Sequence, residues 1–294
     1  MEAKQHKSKA ASRHVAVLGC GDLGLRLQAS LAQDWHFTAL RRNTAALPAG
    51  IAGYSVDYTE PGALSVLEDL APDYLITTLK PLGRDAAGYR RGFLQATEHV
   101  LQGLGGHRPK AILMVSSTRV YAEQEGAWVD EDSAVDTVEP AAAAIVAAEN
   151  LLLESAQRAL ILRCGGIYGA ANSRLLSRIA AGELCAAEPL RYSNRIHRED
   201  VVGFLQHLIE QVEQGESPRQ CFNCVDDAVV PQYEVEQWLA EHLGVKPKSE
   251  RAASKGHKRC SNAALKASAY VLRHPNYRSG YRALLAKFGG AEGK

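Results

Sequence analysis

The chain has 294 residues, enough to bury a sizeable core in one large domain or two smaller ones. Hydrophobic residues make up 46%, charged residues 23%, and the net charge is +1, a balance that argues against a nucleic-acid partner. No apolar run reaches the roughly 18–20 residues of a membrane span, residues 1–13 read as a disordered tail without a secretory core, and six scattered cysteines suit the reducing cytoplasm.

Strand and helix patterns alternate along the first two thirds. Residues 15–19 (VAVLG) read as a strand and 21–34 as an amphipathic helix. Strands follow at 36–42, 53–59 and 73–79, with a helix at 61–70. Residues 86–104 read as a helix, 110–118 as a fifth strand, the alanine-rich 140–157 as a helix and 159–169 as a sixth strand. This rhythm predicts an α/β fold, a doubly wound parallel sheet of the Rossmann kind. Beyond Gly169 short helices at 173–181, 199–214 and 231–243 are expected, with a strand at 219–225 and an exposed basic loop at 245–260. The chain thus divides into a dinucleotide-binding domain, 14–168, and a smaller, mostly helical substrate domain, 169–294. The chain is expected to re-enter the large domain near 195–225.

Gly19-Cys20-Gly21-Asp22-Leu23-Gly24 is GxGxxG between a strand and a helix. Gly19 permits the tight turn, Gly21 clears a path for a pyrophosphate, and Gly24 lets the helix pack on the strand. The helix start offers N–H groups to the phosphates, and Asp22 either turns away or caps the helix. The second strand ends in Arg41 and Arg42 and lacks an acid, which favours NADP over NAD. Asp57 lies where it could bond the adenine, and Thr77 and Thr78 end the fourth strand beside the cofactor ribose. Cys221 and Cys224 have CxxC spacing, but on a strand they face opposite ways, so no metal site is expected.

In this order GCGDLG (19–24), LMVSSTRVY (113–121), LRCGGIYG (162–169) and SNRIHREDVV (193–202) resemble the extended and atypical short-chain dehydrogenase/reductases. The sugar-nucleotide epimerase/dehydratase branch is the most similar. The closing stretch from Arg259 to Leu285 is similar to a bacterial subgroup of that branch. The resemblance spans roughly residues 14–287 and implies hydride exchange with a nicotinamide. It places Ser117, with Thr118 second, at the substrate hydroxyl or carbonyl, and Ser116, Cys164 and Gly165 along the cofactor. Lys80, Tyr168, Arg195 and His197 fall on the substrate side. Arg195 suits a phosphate or carboxylate, and His197 is either a packed structural histidine or a proton shuttle. Asp200 is expected to cap the next helix. Helices 86–104 and 140–157 match those that pair in homodimers.

One departure stands out. The family's Tyr-x-x-x-Lys pair should precede Glu149, and its two positions hold Ala142 and Val146. The family's proton carrier is therefore missing, worth roughly 10²–10⁴-fold in rate. Three readings stay open. The chain is an enzyme with a substitute acid/base, for which Tyr121, Tyr168 and His197 are candidates. It is an enzyme of slower chemistry that needs only orientation and Ser117. Or it is an NADP-binding sensor without turnover. A structural protein with no ligand would need the glycine turn to be blocked.

Overall fold

The computed structural model describes residues 13–170, 173–252 and 256–288, so residues 1–12 of the expected tail lie outside the described residues. Seven strands form one sheet: β1 (Arg13–Leu18), β2 (Trp35–Arg41), β3 (Ala52–Ser55), β4 (Tyr74–Thr77), β5 (Ala111–Ser117), β6 (Ala159–Cys164) and β7 (Cys221–Cys224). Their spatial order is β7-β6-β5-β4-β1-β2-β3, and every neighbouring pair is parallel. The order reverses at β1, which lies between β2 and β4. A crevice therefore opens at the carboxyl ends of β1 and β4, the usual place for a ligand in a doubly wound sheet.

Alternate strand residues feed two cores, as the period of two requires. Ala16, Leu18, Leu75, Ile112 and Met114 face one side, with Phe93, Val100, Ile145 and Val146 from the helical run 86–104 and the helix Pro140–Leu153. Val15, Val17, Ile76, Leu113 and Val115 face the other, with Leu27 from Asp22–Ser30 and Phe204, Leu205 and Leu208 from Arg198–Glu213. A third, smaller core joins the helices Arg174–Ala180, Gln232–His242 and Tyr277–Phe288 through Leu176, Leu239, Tyr277 and Tyr281. The alanine-rich helix Pro140–Leu153 is largely covered within the chain, with only Pro140 and Asn150 exposed.

Several elements differ from expectation. The strand expected at 159–169 breaks at Gly165, whose Cβ would stand 2.8 Å from the Asn194 carbonyl carbon. Another strand crosses closely there, so Gly166–Tyr168 leaves the sheet and pairs with Arg195–His197. The third strand stops at Ser55 and the helix expected at 61–70 starts only at Val66. The loop expected at 245–260 holds two short strands, Ser249–Arg251 beside Glu183–Cys185 and His257–Cys260 beside Glu125–Val129. Asp200 is not the cap of its helix. His197 caps it, accepting from the Glu199 N–H, while Asp200 is buried and accepts from the N–H groups of Arg273 and His274.

Candidate active site

The glycine turn is shaped as a phosphate cradle. Gly19 has φ +74°, and a Cβ there would lie 2.7 Å from the Thr78 carbonyl oxygen. A Cβ on Gly24 would meet Cys20 Sγ at 2.7 Å, so helix and strand need that glycine for contact. Gly21 is different: its nearest neighbour would be 3.7 Å away, leaving open space above the turn. The helix Asp22–Ser30 begins here without a side-chain cap, so its first N–H groups point at that space. The Asp22 carboxylate turns to Arg26 at 3.1 Å and Arg198 at 3.2 Å, which keeps its charge paired. These residues fit a dinucleotide pyrophosphate.

The other residues that the sequence assigns to the cofactor lie along the same edge. Thr78 donates its hydroxyl to the Gly19 carbonyl at 2.8 Å and so clamps the turn, while Thr77 is buried in β4. Arg41 ends β2, and the exposed Arg42 reaches Asp57 at 3.8 Å. Asp57 also accepts from Thr59, and its carboxyl stays below the usual range although burial pulls it up. A small cavity lined by Gly19, Gly21, Asp22, Leu23, Lys80 and Tyr168 adjoins one lined by Leu23, Lys80, Ser116, Ser117, Cys164 and Gly165. The chain of cavities continues into a wide cleft of about 980 Å³ that Ser117, Thr118, Cys164 and Gly165 also line. Gly165 also makes room for the neighbouring strand Arg195–His197, whose backbone a Cβ there would meet.

The candidate catalytic residues separate here. Ser117 and Thr118 face the cleft. Tyr121 does not: it is fully buried, its hydroxyl donating to Asn223 Oδ1 at 2.6 Å and accepting from Arg163 at 3.2 Å. Burial pushes its phenol well above the ordinary value. Ser116 is also buried and bonds Glu149, which in turn holds Arg163 at 2.8 and 3.0 Å. Ala142 and Val146, where the acid–base pair would stand, are buried at 1% and 4% exposure.

Of the residues expected on the substrate side, Lys80 is exposed and lines the cavity beside the glycine turn. Tyr168 stacks on Tyr281 at 4.6 Å and takes the edge of His197 at 5.1 Å. Arg195 lies under the cleft rather than in it, buried against Tyr277 and bonded to Ser193, with Nη1 lacking a partner among the described residues. His197 is buried, and desolvation, with His274 beside it, pushes its pKa down to about 4. Its ring, Glu199 and His274 bring ligand atoms within 4.8 Å of one another, the one described group with the makings of a metal site.

The cleft also contains residues that the sequence did not single out. Arg119 pairs with Glu139 at 3.2 Å, and Glu139 caps the helix Pro140–Leu153 through the N–H groups of Ala141 and Ala142. Arg191, His257 and Lys258 also line the cleft, beside Asn194 from the stretch 193–202. Arg119 and Arg191 sit outside the long helices and strands, where no periodicity announces them.

A parallel sheet reversing at β1, with a glycine cradle at the reversal and a polar cleft beside β5, defines a protein of the doubly wound dinucleotide-binding fold. No family model matches the chain. Protein YeeZ of Escherichia coli K12 is 30% identical over 213 residues, which cover 69% of this chain and 75% of YeeZ. A structure from Methylobacillus flagellatus, described as a candidate NAD-dependent epimerase/dehydratase, is 31% identical with a TM-score of 0.78, covering 95% of this chain and 99% of that one. The UDP-glucose 4-epimerase of Thermotoga maritima, solved with UDP-glucose, shares the fold at 14% identity and TM-score 0.78, over 95% and 99% of the two chains. The chain belongs to the NAD-dependent epimerase/dehydratase family. Among the described residues no helix is long and apolar enough to cross a membrane.

Proposed function

We propose that this protein is an enzyme of the short-chain dehydrogenase/reductase type that binds NADP along the groove from Gly19 to Gly165. It would act on a hydroxyl- or carbonyl-bearing small molecule, with a nucleotide sugar as the first substrate to try. The observation that carries this reading is the unbroken run of cavities from the open face of Gly21 to Ser117. Arg41 and Arg42 at the end of β2 support a 2′-phosphate, since that strand end offers no acid to the ribose and the Asp22 carboxylate is paired with Arg26 and Arg198.

The nicotinamide, when bound, supplies a hydride donor or acceptor. The chain's own part is to hold and orient. The Ser117 hydroxyl is positioned by its bond from the Arg119 N–H at 3.2 Å and is free to donate to a substrate oxygen. Thr118 offers a second hydroxyl beside it. Below them, Glu149 of the helix Pro140–Leu153 bonds both Ser116 on β5 and Arg163 on β6 and so ties the two strands to that helix.

A second reading rests on Ala142 and Val146. A buried apolar surface where the proton carrier belongs would suit an NADP sensor that does not turn over. Titration with NADPH and NADH, followed by cofactor fluorescence, tests both readings at once. Tight NADPH and weak NADH binding supports them; binding of neither sinks them. Reduction of NADP on addition of UDP-glucose would then select the enzyme.

A further inference from the structure

Lys258 is unusual among the cationic side chains of this chain. It is only 9% exposed, yet among the described residues its ammonium has no carboxylate partner and a single hydrogen bond, 2.8 Å to the Tyr121 carbonyl oxygen. A buried ammonium with two N–H bonds left over is costly unless something completes its shell. Lys258 lines the same cleft as Ser117, Thr118 and Gly165. Its position is fixed: Asn194 bonds the Lys258 carbonyl at 3.0 Å and the Cys260 N–H at 2.8 Å, and the strand His257–Cys260 pairs with Glu125–Val129.

We propose that Lys258 is the proton-exchanging group of the cleft, supplying from a C-terminal strand what Ala142 and Val146 cannot supply from the helix. This rests on the reading that substrate oxygen sits at Ser117. The neutral Nζ takes the hydroxyl proton while the hydride on the same carbon leaves to an oxidised nicotinamide, giving a carbonyl and an ammonium. In reverse the ammonium returns the proton to the carbonyl oxygen as the carbon takes up hydride. Such an amine must give up its proton near neutral pH. Burial disfavours its charge most and the Arg119 guanidinium adds to that, against Cys260, Asp136 and Glu123, so its pKa lies below the ordinary lysine value.

Trace acetylation of the intact protein with acetic anhydride from pH 6 to 11, read by peptide mass spectrometry, titrates each lysine. Lys258 should half-react at a lower pH than the exposed Lys266. A midpoint equal to or above that of Lys266 overturns the proposal, whatever the substrate. Lys258→Arg separates proton exchange from mere anchoring, because arginine keeps the bond to the Tyr121 carbonyl but does not release a proton. It should melt like wild type, bind NADPH equally well and lose about 10²-fold or more in hydride transfer from UDP-glucose. Wild-type rates in Lys258→Arg also overturn it. Failure of NADPH to bind would instead defeat the reading of the groove, and where wild type transfers nothing from UDP-glucose the acetylation midpoint alone decides.

Discussion

Arg163 and Glu149 form a buried, two-pronged ion pair, 2.8 and 3.0 Å, that joins β6 to the helix Pro140–Leu153 beneath Ser116. Arg163 also stacks over the Tyr121 ring at 5.1 Å and donates to its hydroxyl, and Tyr121 passes the chain of bonds to Asn223 on β7. The network ties β5, β6, β7 and the helix together under the cleft.

Removing one partner leaves a charge without compensation. Glu149→Ala should therefore cost about 3–5 kcal/mol in denaturant unfolding, whereas the exposed Asn150→Ala on the same helix should stay within about 0.5 kcal/mol. A loss under 1 kcal/mol for Glu149→Ala would show that the pair carries little of the stability.

The glycine turn makes a prediction that distinguishes its members. Gly21→Val should leave stability within about 1 kcal/mol, because its Cβ meets nothing closer than 3.7 Å, yet weaken NADPH binding at least about tenfold by filling the pyrophosphate space. Gly24→Ala should do the reverse. Its methyl would press on Cys20 and Val17 at 2.7 and 2.9 Å, an overpacking that costs about 1–3 kcal/mol. Melting curves and fluorescence titrations of the two variants check the pattern. Equal effects on both properties in both variants would refute it.

How far the sequence reveals this site depends on what kind of signal each residue leaves. The sheet is legible because parallel strands buried on both faces are continuous apolar runs, and the glycine turn because its spacing is a steric requirement. Gly165 has a second duty that its spacing does not announce: besides lining the groove, it makes room for the passage of Asn194 and Arg195. Asp200 misleads, since an acid near a helix start looks like a cap until the C-terminal segment is seen to lay Arg273 and His274 across it. Lys258 is silent because a charged residue that points inward breaks the very alternation by which a strand is recognised. Segments that come from far along the chain to close a cleft carry no local pattern.

The proposed preference for NADP rests on the end of β2. Arg42 is exposed and only loosely held by Asp57 at 3.8 Å, so it can swing to a phosphate. The double change Arg41→Ala and Arg42→Ala should weaken NADPH about tenfold or more, near 1.4 kcal/mol, and leave NADH within about twofold. Parallel loss of both cofactors would mean that the arginines support the strand end rather than read the 2′-phosphate.

Two buried groups set opposing pH dependences. Asp226 is held up at about 7, chiefly by burial and against the pull of Arg195. Its folded form keeps a proton that the unfolded chain sheds near pH 4, so its contribution falls as pH rises from about 4 to 7. His197 is pushed down to about 4 by burial, with His274 next in effect. The unfolded chain binds that proton near pH 6.5 and the folded one does not, so its contribution rises with pH from about 4 to 6.5. In wild type the two slopes oppose one another across nearly the same window. Each single variant should uncover the other slope. Asp226→Asn removes the falling term, so its stability relative to wild type should grow from pH 4 to 7 and then level off. His197→Asn keeps an oxygen for the cap at Glu199 but removes the rising term, so its advantage over wild type should be largest near pH 4 and vanish above pH 6.5. Urea unfolding of the three proteins at pH 4.5, 5.5, 6.5 and 7.5 reads both slopes. Curves that run parallel across that range would mean that neither group titrates between folded and unfolded states as its surroundings require.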